Sequence, residues 1–142
     1  MTTAFATELS TLTLNGYTFK NFADGDYLEL TAPNPATGRV RGQGSVSIIK
    51  RADAAVRQLT IRIMKLGEDD VFLNSQLNQS FPVVFAGSLV TNFQTQAGEQ
   101  GIETWSLEGG SITTQPTDTR NNTDNNAMLE YVIEFNDTIR MI

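Results

Sequence analysis

Between Leu59 and Leu77 the period of the chain changes, and that change limits the folds open to the whole sequence. Leu59, Ile61 and Ile63 alternate with Thr60, Arg62 and Met64, which gives a strand with one apolar face and one mostly wet face. After Gly67 the acids Glu68, Asp69 and Asp70 stand together, and Leu73 and Leu77 follow four residues apart. That spacing predicts a short helix with carboxylates at its positive N-terminal end. The segments on either side read as strands. The chain is therefore expected to be mainly β, an antiparallel β-sandwich or barrel with one short α-helix.

Thr11–Leu14 and Tyr17–Phe19 alternate on either side of Asn15-Gly16, so they form either a hairpin or one kinked strand. Tyr27–Thr31 is a strand with Leu28 and Leu30 on one face. Residues 32–44 hold Pro33, Pro35, Gly38, Gly42 and Gly44 and are expected to be a long irregular surface loop. Ser45–Arg51 reads as a strand with Val46 and Ile48 facing in, paired antiparallel with the strand that follows it. Val83–Gln94 is the longest apolar stretch, with Gly87 marking a bulge or bend. Glu103–Glu108 turns Trp105 and Leu107 inward, and Met128–Phe135 turns Leu129, Tyr131, Ile133 and Phe135 inward. Residues 109–127 are expected to be a polar loop, with Ile112 and Thr113 open to extending the strand before it, and residues 137–142 an apolar tail suited to docking on a neighbour.

A chain of 142 residues is expected to form one domain over 1–142, large enough to need no metal or disulfide. It contains no Cys, which excludes disulfide scaffolds, zinc fingers and cysteine nucleophiles. It contains no His, which removes the usual general base near neutral pH, the Ser-His-Asp triad and the commonest metal ligand. A net charge of −6 with scattered cations argues against nucleic-acid binding, which calls for a basic patch. The first residues lack a basic start and an apolar run, so neither a signal peptide nor a membrane anchor is expected.

Candidate chemistry is sparse. The carboxylate groups Glu68/Asp69/Asp70, Glu103/Glu108 and Glu130/Glu134 fit a helix dipole or the wet face of strands better than acid–base work. Lys50, Arg51 and Arg62 are expected to pair with acids across the sheet. Arg120–Asn126 lacks the spaced Glu of a calcium loop, and Gly42-x-Gly44 is followed by a strand rather than the helix a dinucleotide site needs. The expectation is no enzyme, no cofactor and no metal.

Three stretches carry a resemblance over nearly the whole chain. They are Gly16-Tyr17-Thr18-Phe19-Lys20-Asn21-Phe22, the strand and helix of Leu59–Leu77, and Glu103-Thr104-Trp105-Ser106-Leu107-Glu108-Gly109-Gly110. In this order they resemble bacteriophage tail tube proteins of the contractile-tailed type, which are similar in fold to type VI secretion and bacteriocin tube proteins. The sequence departs from the family in Asn121–Asn126 and in its C-terminal ending. The resemblance implies a structural subunit of the virion tail, assembled in the host cytoplasm. Homo-hexameric rings would stack into a hollow tube, each subunit giving strands to an inter-subunit β-barrel. The implied partners are a tail sheath, a tape measure protein and baseplate or terminator proteins, with DNA passing through the lumen during ejection without specific binding. It also implies residue roles: Glu29, Ser45, Ser47, Asn92, Gln94, Thr104, Ser106 and Glu108 facing the lumen, Pro33, Arg39 and Arg41 in a loop reaching the next ring, and Glu68, Asp69 and Asp70 in an outer contact with the sheath. The alternatives are a secretion or bacteriocin tube, a capsid decoration or other virion assembly protein, and, ranked last, a carbohydrate-binding β-sandwich.

Overall fold

The computed structural model describes residues 3–119 and 128–142. It is mainly β and antiparallel. Strand β1 (Thr3–Leu14) turns at Asn15 and Gly16, with φ of 50° and 82°, into β2 (Tyr17–Thr18), so the hairpin reading of this segment holds. Then come β3 (Leu28–Thr31), β4 (Thr37–Gly42), β5 (Ser45–Lys50) and β6 (Arg57–Met64). The helix α1 (Glu68–Leu77) precedes β7 (Phe85–Thr95), β8 (Gln100–Thr114) and β9 (Met128–Met141). Seven strands form one sheet in the order β2-β1-β7-β8-β9-β6-β3, while β4 and β5 form a separate two-stranded sheet.

The large sheet folds over on itself along β8 and β9. These strands stay in register from Thr104↔Met141 to Ile112↔Ile133. Midway, both change the side they turn inward: Leu107 and then Gly110 are buried on β8, Phe135 and then Thr138 on β9. The pair bends where Gly109 takes a φ of 65°, a value that suits glycine. One layer then carries β2, β1, β7 and the first half of β8, and the other carries β9, β6 and β3. Leu12, Leu14, Phe85 and Leu107 from the first meet Leu59, Ile61, Ile63, Tyr131, Ile133 and Phe135 from the second in one core. Leu73 of α1 joins them at one end. Near the other, Trp105 packs against the core with the Arg57 guanidinium 4.8 Å above its ring.

Several expectations from the sequence are corrected. Strand β5 does not pair with β6; β6 lies between β9 and β3. The reason is the length of the apolar row: Leu59, Ile61 and Ile63 stand opposite Ile133, Tyr131 and Leu129, whereas β5 offers only Val46 and Ile48. Those two residues are accordingly exposed, not inward. The stretch 32–44 is not an irregular loop throughout, because β4 begins two residues after Pro35 and needs no N–H from either proline. The polar loop predicted from residue 109 starts later, since β8 runs on to Thr114; residues 120–127 lie outside the described part. The tail predicted over 137–142 is the end of β9, paired to Met141 with the first half of β8.

At Gly87, β7 runs tight against β1. A Cβ there would sit 1.8 Å from the Thr13 carbonyl oxygen, and the β7–β8 ladder shifts register beside it, as its place in the sequence suggested. Gly87→Ala is expected to destabilise the protein by about 3 kcal/mol through forced overpacking. Gly38→Ala, which meets nothing within 4 Å, serves as the control. Urea unfolding midpoints that move equally in both variants would contradict the close approach.

Candidate functional site

The three acids that open α1 divide by burial. Glu68 is exposed and forms an ion pair with Lys20, which raises the lysine's pKa chiefly through that hydrogen bond. Asp69 is fully buried. One of its oxygens accepts the Tyr17 hydroxyl at 2.7 Å, and the two oxygens together accept the backbone N–H groups of Lys20, at 3.2 and 3.0 Å, and Asn21, at 2.6 Å. Asp70, 8% exposed, accepts the Tyr131 hydroxyl at 3.0 Å and the Leu66 N–H at 2.9 Å. The outer contact predicted for all three acids is thus corrected for Asp69 and Asp70. The Phe19 N–H still bonds the Leu12 carbonyl, but those of Lys20 and Asn21 turn to Asp69, and a carboxylate satisfies them better than solvent at this depth. Both carboxylates are engaged by protein donors, so neither is poised to move a proton on an outside molecule.

Sequence reasoning missed the two tyrosines as partners. Tyr17 also stacks on Phe72 of α1 at 4.3 Å between ring centroids. Burial, then the hydrogen bond to the neighbouring aspartate, pushes each hydroxyl's pKa well above its ordinary value. Arg62 does pair across the sheet, with Glu29 on β3 and Glu130 on β9. Arg51 instead pairs locally with Asp53, whose carboxyl it holds below its usual range.

The residues predicted for a lumen do not come together as one set. Asn92 and Gln94 on β7 share a face with Thr104, Ser106 and Glu108 on β8, because Asn92↔Ile102 and Val90↔Thr104 are opposed. Glu29 lies on the far edge strand, and Ser45 and Ser47 lie on β5, outside this sheet.

The strongest surface feature is the β4–β5 arm. It hydrogen-bonds only within itself as a sheet, with the turn at Gln43-Gly44. One face holds Arg39, Arg41, Val46, Ile48 and Lys50, and the other holds Val40, Ser47 and Ile49. Val40, Val46, Ile48 and Ile49 are 56%, 49%, 62% and 50% exposed. From Thr37 to Lys50 there are three cations and no acid, so the arm carries +3 and the rest of the chain −9, for a total of −6. Arg39 and Arg41 therefore lie on a paired strand, and Pro33 precedes the arm at its base. The sequence pattern singles out the arginines but places the alternating Val46 and Ile48 in the core. Among the described residues, no group of three His, Cys, Asp or Glu could hold a metal ion, and no helix is long and apolar enough to cross a membrane.

No protein-family model and no curated protein matches this chain. Among solved structures, it is similar to a chain in the cryo-electron microscopy structure of the anti-feeding prophage baseplate, six-fold symmetrised. The TM-score is 0.48 and the identity 11%, over 93% of this chain and 90% of that one.

Half-buried Tyr17 and buried Tyr131 set a pH dependence. In the unfolded chain a tyrosine ionises near pH 10, while in the native state both stay neutral beyond that. Their contribution is complete below about pH 10 and is lost as pH rises through the gap between the two values. Tyr131, 1% exposed, should add up to about 1.4 kcal/mol of lost stability per pH unit there. Tyr131→Phe is expected to be less stable at pH 8 but to decline less steeply above pH 10. Parallel stability curves for the two proteins would contradict the assignment.

Proposed function

We propose that this chain is a structural subunit that assembles with copies of itself, and that its assembly is the tail tube of a contractile-tailed phage or a closely similar injection or secretion tube. The observation that carries the reading is the arm: a cationic, apolar two-stranded projection on an otherwise acidic molecule. In an isolated monomer such a surface exposes aliphatic side chains on both faces to water. Against an acidic neighbour the same surface buries them and neutralises three cations. Because arm and acidic body are different regions, the contact is head-to-tail and generates rings or filaments rather than closed pairs. The resemblance in Gly16–Phe22, Leu59–Leu77 and Glu103–Gly110 favours a tube over other repeating assemblies.

In this reading rings of six subunits stack, with Arg39 and Arg41 meeting acids of a neighbouring copy. The face bearing Asn92, Gln94, Thr104, Ser106 and Glu108 lines the channel, where the absence of cations lets DNA or another cargo pass without adhering. Glu68 is the one acid of α1 available to an outer partner such as a sheath. The protein works by shape and association, not by catalysis.

Charge reversal tests the arm. The double variant Arg39→Glu/Arg41→Glu is expected to keep its circular dichroism and thermal midpoint, since both residues are exposed, and to lose assembly in negative-stain electron microscopy. Assembly of the variant at native concentrations would overturn this role of the arm.

A further inference from the structure

We propose that Asn15 is a deamidation site held in check by the fold: the side-chain amide that ties the β1–β2 hairpin to the start of β7 is also the group that the Gly16 nitrogen attacks once the tie opens. The β1–β7 ladder ends at Leu14↔Gly87. One residue on, Asn15 takes a φ of 50°, a left-handed conformation that Asn tolerates. Pairing nevertheless continues. The Asn15 N–H donates to the Ala86 carbonyl at 2.8 Å, and the Ala86 N–H donates to the Asn15 Oδ1 at 3.0 Å. In an ordinary antiparallel pair that second bond would go to the backbone carbonyl of residue 15. The side-chain amide stands in for it, and its Nδ2 adds a bond to the Val84 carbonyl at 3.2 Å. Gly would fit the turn but carries no amide, and Asp has no donor for Val84.

Asn15-Gly16 is the one Asn-Gly pair in the sequence. Glycine has no Cβ to hinder attack by its own nitrogen. Both residues are exposed, and a Cβ built on Gly16 would meet nothing within 4 Å, so water and hydroxide reach this peptide. Hydroxide removes the Gly16 amide proton, and the nitrogen attacks the Asn15 Cγ. A bond forms between them, the Cγ–Nδ2 bond breaks, and Nδ2 leaves as ammonia with a proton from water. Water then opens the resulting succinimide. Addition at Cγ gives aspartate, and addition at the backbone carbonyl gives isoaspartate. Attack turns the planar amide tetrahedral and expels Nδ2, so it costs the bonds to Ala86 and Val84. The reaction therefore proceeds through local opening of the turn.

Either product loosens the hairpin. Aspartate sets a carboxylate oxygen against the Val84 carbonyl, and isoaspartate adds a methylene to the main chain of a tight turn. Strand β2 follows at once and carries Tyr17, whose hydroxyl bonds the buried Asp69. A modification at an exposed turn thus reaches the carboxylate that closes the core. The inference concerns the single subunit and does not require the tube reading.

The test incubates the full wild-type chain at pH 8, folded and in urea, and follows Asn15 by peptide mapping with mass spectrometry. Conversion to aspartate and isoaspartate is expected in urea, and about tenfold slower or more in the folded protein. Asn15→Asp supplies one product directly. Its thermal midpoint should lie below that of the wild type at pH 8. The gap should narrow as pH falls through the carboxyl's pKa, because a protonated carboxyl again donates to Val84. For Asn15→Gly, which keeps the turn without a charge, the gap should not change with pH. Equal rates in the folded and unfolded chain, no conversion at Asn15 in urea, or an Asn15→Asp gap that is flat with pH would overturn the proposal. The rate comparison uses only the wild-type chain, so it decides even if Asn15→Asp does not fold.

Discussion

The Asp69 carboxylate, fully buried and accepting hydrogen bonds from three donors, is the interaction on which the rest of this structure depends. It joins the first turn of α1 to the end of β2 and to the chain that follows. The adjacent Asp70 reaches Tyr131 in the opposite layer. Two consecutive residues thus tie the helix to both layers of the sandwich. A buried carboxylate without partners would be strongly destabilising, so this end of the core closes only when the tyrosines and the backbone of 20–21 are in place. The helix in turn delivers Leu73 to the core and Phe72 to the face of Tyr17.

With one end closed by the helix and the core filled by β1, β6, β8 and β9, β4 and β5 have no place in the body. They pair with each other and project. The same chain therefore separates its charge in space, +3 on a projection and −9 elsewhere. In the proposed reading, that separation gives the molecule a donor surface and an acceptor surface. A subunit with two unlike surfaces assembles head-to-tail, and whether it forms rings or filaments depends on the angle between them.

The parts of this fold legible in the sequence are those in which local pattern and tertiary packing agree. Leu59–Ile63 and Leu129–Phe135 alternate cleanly, and both strands bury the predicted side. The helix from Glu68 follows from its change of period. The arm is not legible in the sequence, because period-two alternation reports a pleated strand and not what covers it: Val46 and Ile48 alternate as core residues do, yet stand in solvent. The roles of Asp69 and Asp70 were illegible for a related reason. An acid in a first turn satisfies the helix dipole whether it points outward or inward, and only the distant tyrosines, 52 and 61 residues away, decide between them. The extension of β9 to Met141 depends on an open edge of β8, which no local pattern encodes.

The central claim is that this chain is built to associate with itself. Electron microscopy of the purified wild-type protein over a rising concentration series tests it most directly. The account predicts rings or stacked tubes about 100 Å across, the size expected of six domains of this length around a channel. A monodisperse 15.6 kDa particle at every concentration would contradict it.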